Sequence, residues 1–161
     1  MIKTCLTSFL LFVTLTLTLS AQVSVNGKDC LGIWKTIDDE TGVTKSTVKV
    51  FKKGNLYYGQ VLKILDPDAL EESGMDRYED ILCDECPEGK GKDQPIMGLQ
   101  IIWDMEQRSD KWAGGKIMDP ENGKIYTCTM WLDDDDKEGN TLKVRGWLAF
   151  FFRTQTWYRV E

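Results

Sequence analysis

From Gly32 onward the sequence is a row of short β-type runs. β-branched and aromatic residues recur in stretches of roughly six to ten, each closed by residues that tolerate turn dihedrals, and no long stretch carries a 3.6-residue apolar repeat. That pattern rules out a helical core and predicts eight strands, at residues 32–38, 43–52, 56–65, 96–104, 111–118, 124–133, 141–150 and 154–160. The short segments 39–42, 53–55, 107–110, 119–123 and 134–140 are rich in Gly, Asp, Asn, Ser and Pro, so strands adjacent in sequence are expected to be hairpin partners.

Successive strand residues face opposite sides of a sheet, so alternation predicts which side chains share a core. Tyr126, Cys128, Met130 and Leu132 form one apolar row, and Leu142, Val144, Gly146, Leu148 and Phe150 form another. The opposite rows mix polar and aromatic residues: Thr127, Thr129 and Trp131 in one strand, Lys143, Arg145 and Trp147 in the next. Consecutive antiparallel strands with one apolar face can stack as a sandwich or close on themselves, and closure removes aggregation-prone edges. The expected fold is therefore all-β: an eight-stranded antiparallel up-and-down barrel, with room inside for side chains or one small ligand. Its regularity is broken by a long loop between the third and fourth strands, residues 66–94, acidic at first and then Gly- and Lys-rich. A loop of that length reads as a lid, a binding element or a mobile insertion, with a short helix near residues 69–75.

Before the strands, Lys3, an apolar Thr-rich run over residues 6–19 and then Ser20-Ala21-Gln22 have the three parts of a secretory signal, with cleavage expected after Ala21. The run is short and interrupted by Thr14, Thr16 and Thr18, whereas a spanning helix wants about 20 mostly apolar residues. A periplasmic or secreted single domain, residues 22–161, is the expected product, without a membrane span. Loss of Lys3 takes the net charge from −6 to −7, an acidic balance that disfavours nucleic acid and anionic lipid surfaces.

Histidine is absent, which excludes a Ser-His-Asp triad, a Cys-His pair and a His-Glu-x-x-His zinc site. Of the cysteines downstream of the signal, Cys83 and Cys86 lie close together in the long loop and are expected to form a local disulfide, permitted in an oxidising compartment. Cys30 and Cys128 either pair or stay separate, with Cys128 on the core side of its strand. Asp84 and Glu85 disfavour a reactive thiolate by like charge, and a lone Cys-x-x-Cys supplies half of a structural zinc site. The run Asp133-Asp134-Asp135-Asp136 lacks the alternating ligands of a calcium loop and reads as a solvated hairpin tip. Asp38 and Asp39 suit a turn as well as acid/base work. No catalytic residue, metal or cofactor is predicted.

Gly32-Ile33-Trp34 in the first strand and Arg159 in the last resemble the lipocalin, fatty-acid-binding-protein and avidin superfamily of barrels. The resemblance implies that Trp34 sits at the closed base under Arg159, a cation–π contact worth about 0.5–2 kcal/mol. A broader likeness runs through residues 32–39, Tyr58-Gly59, Trp112-Ala113-Gly114-Gly115-Lys116-Ile117, residues 119–124, Leu142-Lys143-Val144-Arg145-Gly146 and residues 153–157. These blocks resemble the bacterial exported family called domain of unknown function 2147, which implies an envelope-located β-barrel without known catalytic residues. The acidic insertion at residues 66–80 is longer here than in many members.

Six tryptophans on a barrel of eight strands suggest aromatic pocket walls, although packing competes for each of them. Trp103, Trp112, Trp131, Trp147 and Trp157 are the candidate wall residues, Trp112, Trp131 and Trp147 foremost, while Arg145, Arg153 and Gln155 either point inward, where an arginine would select an anionic headgroup, or stand on a solvated outer face. Gly32, Trp34 and Arg159 are assigned structural roles. The expected function is binding of a small hydrophobic or amphipathic ligand in the cell envelope. The alternative is a filled barrel serving as a structural or protein-interaction module, and an enzyme ranks last.

Overall fold

The computed structural model describes residues 29–160, so the predicted signal segment and its cleavage site lie outside the described residues. Alternating β-branched and aromatic residues build eight strands: β1 (Gly32–Ile37), β2 (Thr44–Lys53), β3 (Leu56–Ile64), β4 (Gln100–Arg108), β5 (Lys111–Met118), β6 (Ile125–Leu132), β7 (Thr141–Leu148) and β8 (Phe151–Arg159). Each pairs antiparallel with the next, and β8 returns to β1 through Trp34↔Arg159, Lys35↔Tyr158 and Thr36↔Trp157. The sheet is a closed barrel with no free edge, the architecture expected from the hairpin spacing.

Three strands, β4, β7 and β8, differ from the sequence reading by more than one residue. β4 begins four residues later than predicted, because Gly98 takes a left-handed φ of 89° and the amides of Gly98 and Leu99 are used in loop hydrogen bonds. It also runs on through Gln107 and Arg108, leaving only Ser109 and Asp110 to turn into β5. At the other hairpin, β7 stops at Leu148 and β8 starts at Phe151, so Ala149 and Phe150 form the turn. Phe150, predicted to end a core-facing row, is 96% exposed at its tip.

The barrel has two storeys. The half nearest the start of β1 is filled by Trp34, Val48, Val50, Tyr57, Met105, Trp112, Met130 and Leu142, all essentially buried. At its base the Trp34 indole N–H donates to the Cys30 carbonyl at 2.8 Å, and the Arg159 guanidinium lies 4.2 Å from the indole ring centroid. Arg159 also donates to the carbonyls of Leu31 (2.6 Å), Asp29 (2.7 Å) and Gly139 (3.1 Å). One side chain thereby fastens the lead-in to β1, the β6–β7 connection and the end of β8. Cys30 and Cys128 are buried and unpaired with each other. A bend in β5 lets the wall close tightly here: at Gly115 a Cβ would fall 2.1 Å from the Trp103 carbonyl oxygen, so only glycine fits.

Candidate functional site: the open storey and its lid

Above Trp157 the interior is not filled. A cavity of about 590 Å³ occupies the end of the barrel that carries the β1–β2, β3–β4, β5–β6 and β7–β8 connections. This is a volume typical of small-molecule sites. Val61, Ile64, Ile101, Ile117, Met118, Val144 and Trp157 supply an apolar wall. Polar and charged side chains make up the rest of the lining, the charged ones ringing the mouth. Thr36 and Ser46 face each other with hydroxyls 2.9 Å apart, Tyr126 contributes a phenol, and Gln155 accepts from the Trp157 indole at 3.1 Å, which leaves its amide N–H groups to face the space.

The connection between β3 and β4 folds over the mouth. Its helix α1 (Ala69–Ser73) and the residues Met75, Ile81, Leu82 and Ile96 line the cavity from above. Leu82 and Pro95 form an isolated bridge, Cys83 N–H donates to Gln94 O, Ile96 N–H to Ile81 O, and a disulfide joins Cys83 to Cys86. Two anchors hold the lid to the rim. Asp66, whose side chain is 7% exposed, accepts from Lys45, which also pairs with Glu121 at 3.1 Å. Gly123, with φ +65°, lets the β5–β6 turn approach the loop so closely that a Cβ would sit 1.8 Å from Glu85 O. Burial opposes the Lys45 charge, yet its hydrogen bonds to Asp66 and Glu121 outweigh that and hold its pKa above the ordinary lysine range.

Across the mouth, Arg153 donates to Asp38 (2.9 Å) and to Asp39, tying the top of β8 to the β1–β2 turn. Asp38 is itself the turn-forming residue: one of its oxygens accepts from the Thr41 N–H and hydroxyl, both at 2.8 Å, and from the Glu40 N–H. The Thr41 bonds are the main reason its pKa falls to about 2, with Arg153 adding to them. Asp38 and Asp39 thus close a turn and neutralise an arginine. The other acidic run is likewise occupied with its own backbone, Asp133 and Asp136 accepting from the amides of Asp135, Glu138 and Gly139. Among the described residues no cluster of side chains is arranged to hold a metal ion.

Of the residues proposed foremost from sequence to line the interior, Arg153 and Gln155 border the cavity. The others do not. Arg145, Trp131 and Trp147 stand on the outer wall, because β7 turns Val144 and Gly146 inward and their neighbours must point away. There the Arg145 guanidinium lies 5.0 Å from the Trp131 ring, 5.5 Å from Trp147 and 4.4 Å from Phe152. Trp112 is inside but in the filled storey, edge-on to Tyr57 at 5.9 Å, with no partner for its indole N–H. Trp157, a candidate wall residue, and Tyr126, on a row expected to face the core, do line the cavity, whereas Thr36, Ser46, Lys45 and Asp66 were missed. Trp157 and Gln155 share the parity of Arg159, so alternation along β8 held that information, whereas the Lys45–Asp66 link spans a loop that alternation does not describe.

A family model described as "Uncharacterized protein conserved in bacteria (DUF2147)" matches residues 32–159. No curated protein matches the chain. Among solved structures, a Helicobacter pylori protein, HP1028, described as belonging to the lipocalin family, superposes with a TM-score of 0.62 at 16% identity, covering 83% of this chain and 84% of its own. At that identity the likeness concerns the fold.

Proposed function

The chain belongs to the DUF2147 family of uncharacterised proteins conserved in bacteria, and from its half-empty barrel we propose that it is an exported binding protein for one small, mainly apolar molecule. The observation that carries this reading is the lidded cavity of about 590 Å³, walled by Val61, Ile101, Val144 and Trp157 and offering the Gln155 amide as a directional partner. The lipocalin-family description of the structural neighbour supports the same class of role. Export is supported by the signal-like residues 1–21 and by a disulfide, which persists in oxidising compartments.

The rim charges refine the ligand. Arg153 is paired with Asp38 and Asp39, and Lys45 with Asp66 and Glu121, so neither cation is left to recruit an anion, while Glu72 and Asp119 add negative charge beside them. The favoured guest has an apolar body and an uncharged or cationic polar end. This replaces the anionic headgroup inferred for an inward arginine.

Titration with the neutral dye N-phenyl-1-naphthylamine tests the reading. Fluorescence should rise saturably, and a long-chain alcohol or amine should displace the dye at lower concentration than the carboxylate of equal length. Val144→Trp, which places an indole inside the cavity wall, should abolish the rise, and Gln155→Leu should weaken the alcohol more than the dye. A folded protein that leaves the dye dark, or a Val144→Trp variant that binds it unchanged, refutes the proposal.

A further inference from the structure

The β7–β8 hairpin ends in an apolar point that the cavity does not use. Phe150 is 96% exposed, Phe151 80%, Phe152 55% and Leu148 51%. A soluble protein rarely leaves so much contiguous apolar surface uncovered without a partner for it. The feature is convex, a two-residue turn projecting beyond the last pair Leu148↔Phe151, so it fits a surface that deforms around it.

What lies behind the point identifies that surface. The outward side chains of β5–β8 form cross-strand rows. The first row behind the tip is Lys116, Thr127, Trp147 and Phe152, and the next contains Thr129, Arg145 and Thr154. A third row has Lys111, Trp131, Lys143 and Thr156. These positions carry four cations and no carboxylate, in a chain whose net charge is −6, and of the four Lys143 is paired, with Asp133 at 3.2 Å. Arg145 donates to Thr154 at 2.7 Å, and among the described residues no carboxylate lies within ion-pair distance of it. At ~3.3 Å per strand residue, Arg145 lies about 10 Å back from the Leu148–Phe151 pair.

From this ordering the geometry points to a bilayer surface as the partner. Phenylalanine at the tip, tryptophan next and cations behind it follow the sequence of acyl chain, interface and phosphate, and apolar elements lying in an interface sink ~5–10 Å. The hairpin is a membrane-docking element that enters the acyl boundary while Arg145 and Lys116 reach headgroup phosphates. The carboxylates nearest the hairpin, Asp38 and Asp39, are paired with Arg153, and charges more than about 8–10 Å from the lipid are screened at physiological salt. The inference is independent of the cavity's contents, and dye binding and membrane binding are read by separate assays.

Flotation of the folded chain with phosphatidylethanolamine vesicles, with and without phosphatidylglycerol, tests it. The protein should float with both and more with phosphatidylglycerol. Phe150→Ser/Phe151→Ser should lower the partition coefficient at least about tenfold with its melting temperature retained. Phe150→Ser alone, at a side chain free of the core, should act in the same direction. Arg145→Gln should remove the gain from phosphatidylglycerol and leave flotation on phosphatidylethanolamine alone unchanged. Protein that stays at the bottom of the gradient with both vesicles, or a double variant that floats as well as the parent, overturns the proposal. So does light scattering that shows a dimer split by the double substitution, since a second copy would then cover the tip.

Discussion

Replacing Arg159 with alanine would leave three backbone carbonyls, those of Asp29, Leu31 and Gly139, without their donor and would uncover the Trp34 ring. Hydrogen bonds from a charged group contribute about 1.5–3 kcal/mol each when the acceptor is buried, so the loss should reach at least about 3 kcal/mol in urea unfolding. Lysine should not restore it, because a point charge cannot supply the planar fork. The buried thiols make a second check. Burial pushes Cys128 up to about 12 and Cys30 higher than any ordinary thiol, so neither should be alkylated at neutral pH until denaturant is added, as peptide mapping would show. Asp38 makes a third. With a folded pKa of about 2 against an unfolded value near 3.9, its contribution is complete above about pH 4 and disappears as pH falls to about 2. Asp38→Asn should flatten the melting temperature over that window. Parity was legible in the sixth and seventh strands and weaker in the third, where apolar residues fall on both sides, and Arg145 shows how it can be misread: once Val144 and Gly146 are assigned to the interior, Arg145 must face out. Arg153, which shares parity with Trp157, faces the cavity rim.

Among the elements, the lid is joined to the barrel by local devices. Reduction of Cys83–Cys86 opens a ring of only a few residues, for which chain entropy gives about 2 kcal/mol. Hydrogen exchange should therefore quicken in residues 66–96 after reduction while β1–β8 stay protected. Gly123→Ala should loosen the same segment, since the turn must retreat from Glu85. The long connection was plain from its composition, but its seat over the mouth was not, because Lys45, Asp66 and Glu121 come from three separate parts of the chain. The start of β4 was set too early for a related reason. Ile96-Met97-Gly98-Leu99 has the apolar content of a strand, yet its amides serve the lid and the wall of β3.

For the whole molecule, the barrel could be anticipated because consecutive antiparallel strands with one apolar face either stack or close, closure removes the edges, and the Gly32-Ile33-Trp34 and Arg159 resemblance points to closure. The cavity could not, since its volume is what remains after side chains from all eight strands have packed, and no pairwise pattern encodes a remainder. Occupancy should be visible in stability: a ligand that binds only the folded state adds about 2.7 kcal/mol at one hundred times its dissociation constant. The melting temperature should climb with dye or alcohol concentration in the parent and stay level in Val144→Trp. The solid lower storey has a further consequence. Since Trp34, Tyr57, Trp112 and their neighbours pack among themselves below the cavity, residues around the vacant half are freer to drift. Kindred chains should then share a foundation while differing in what they carry.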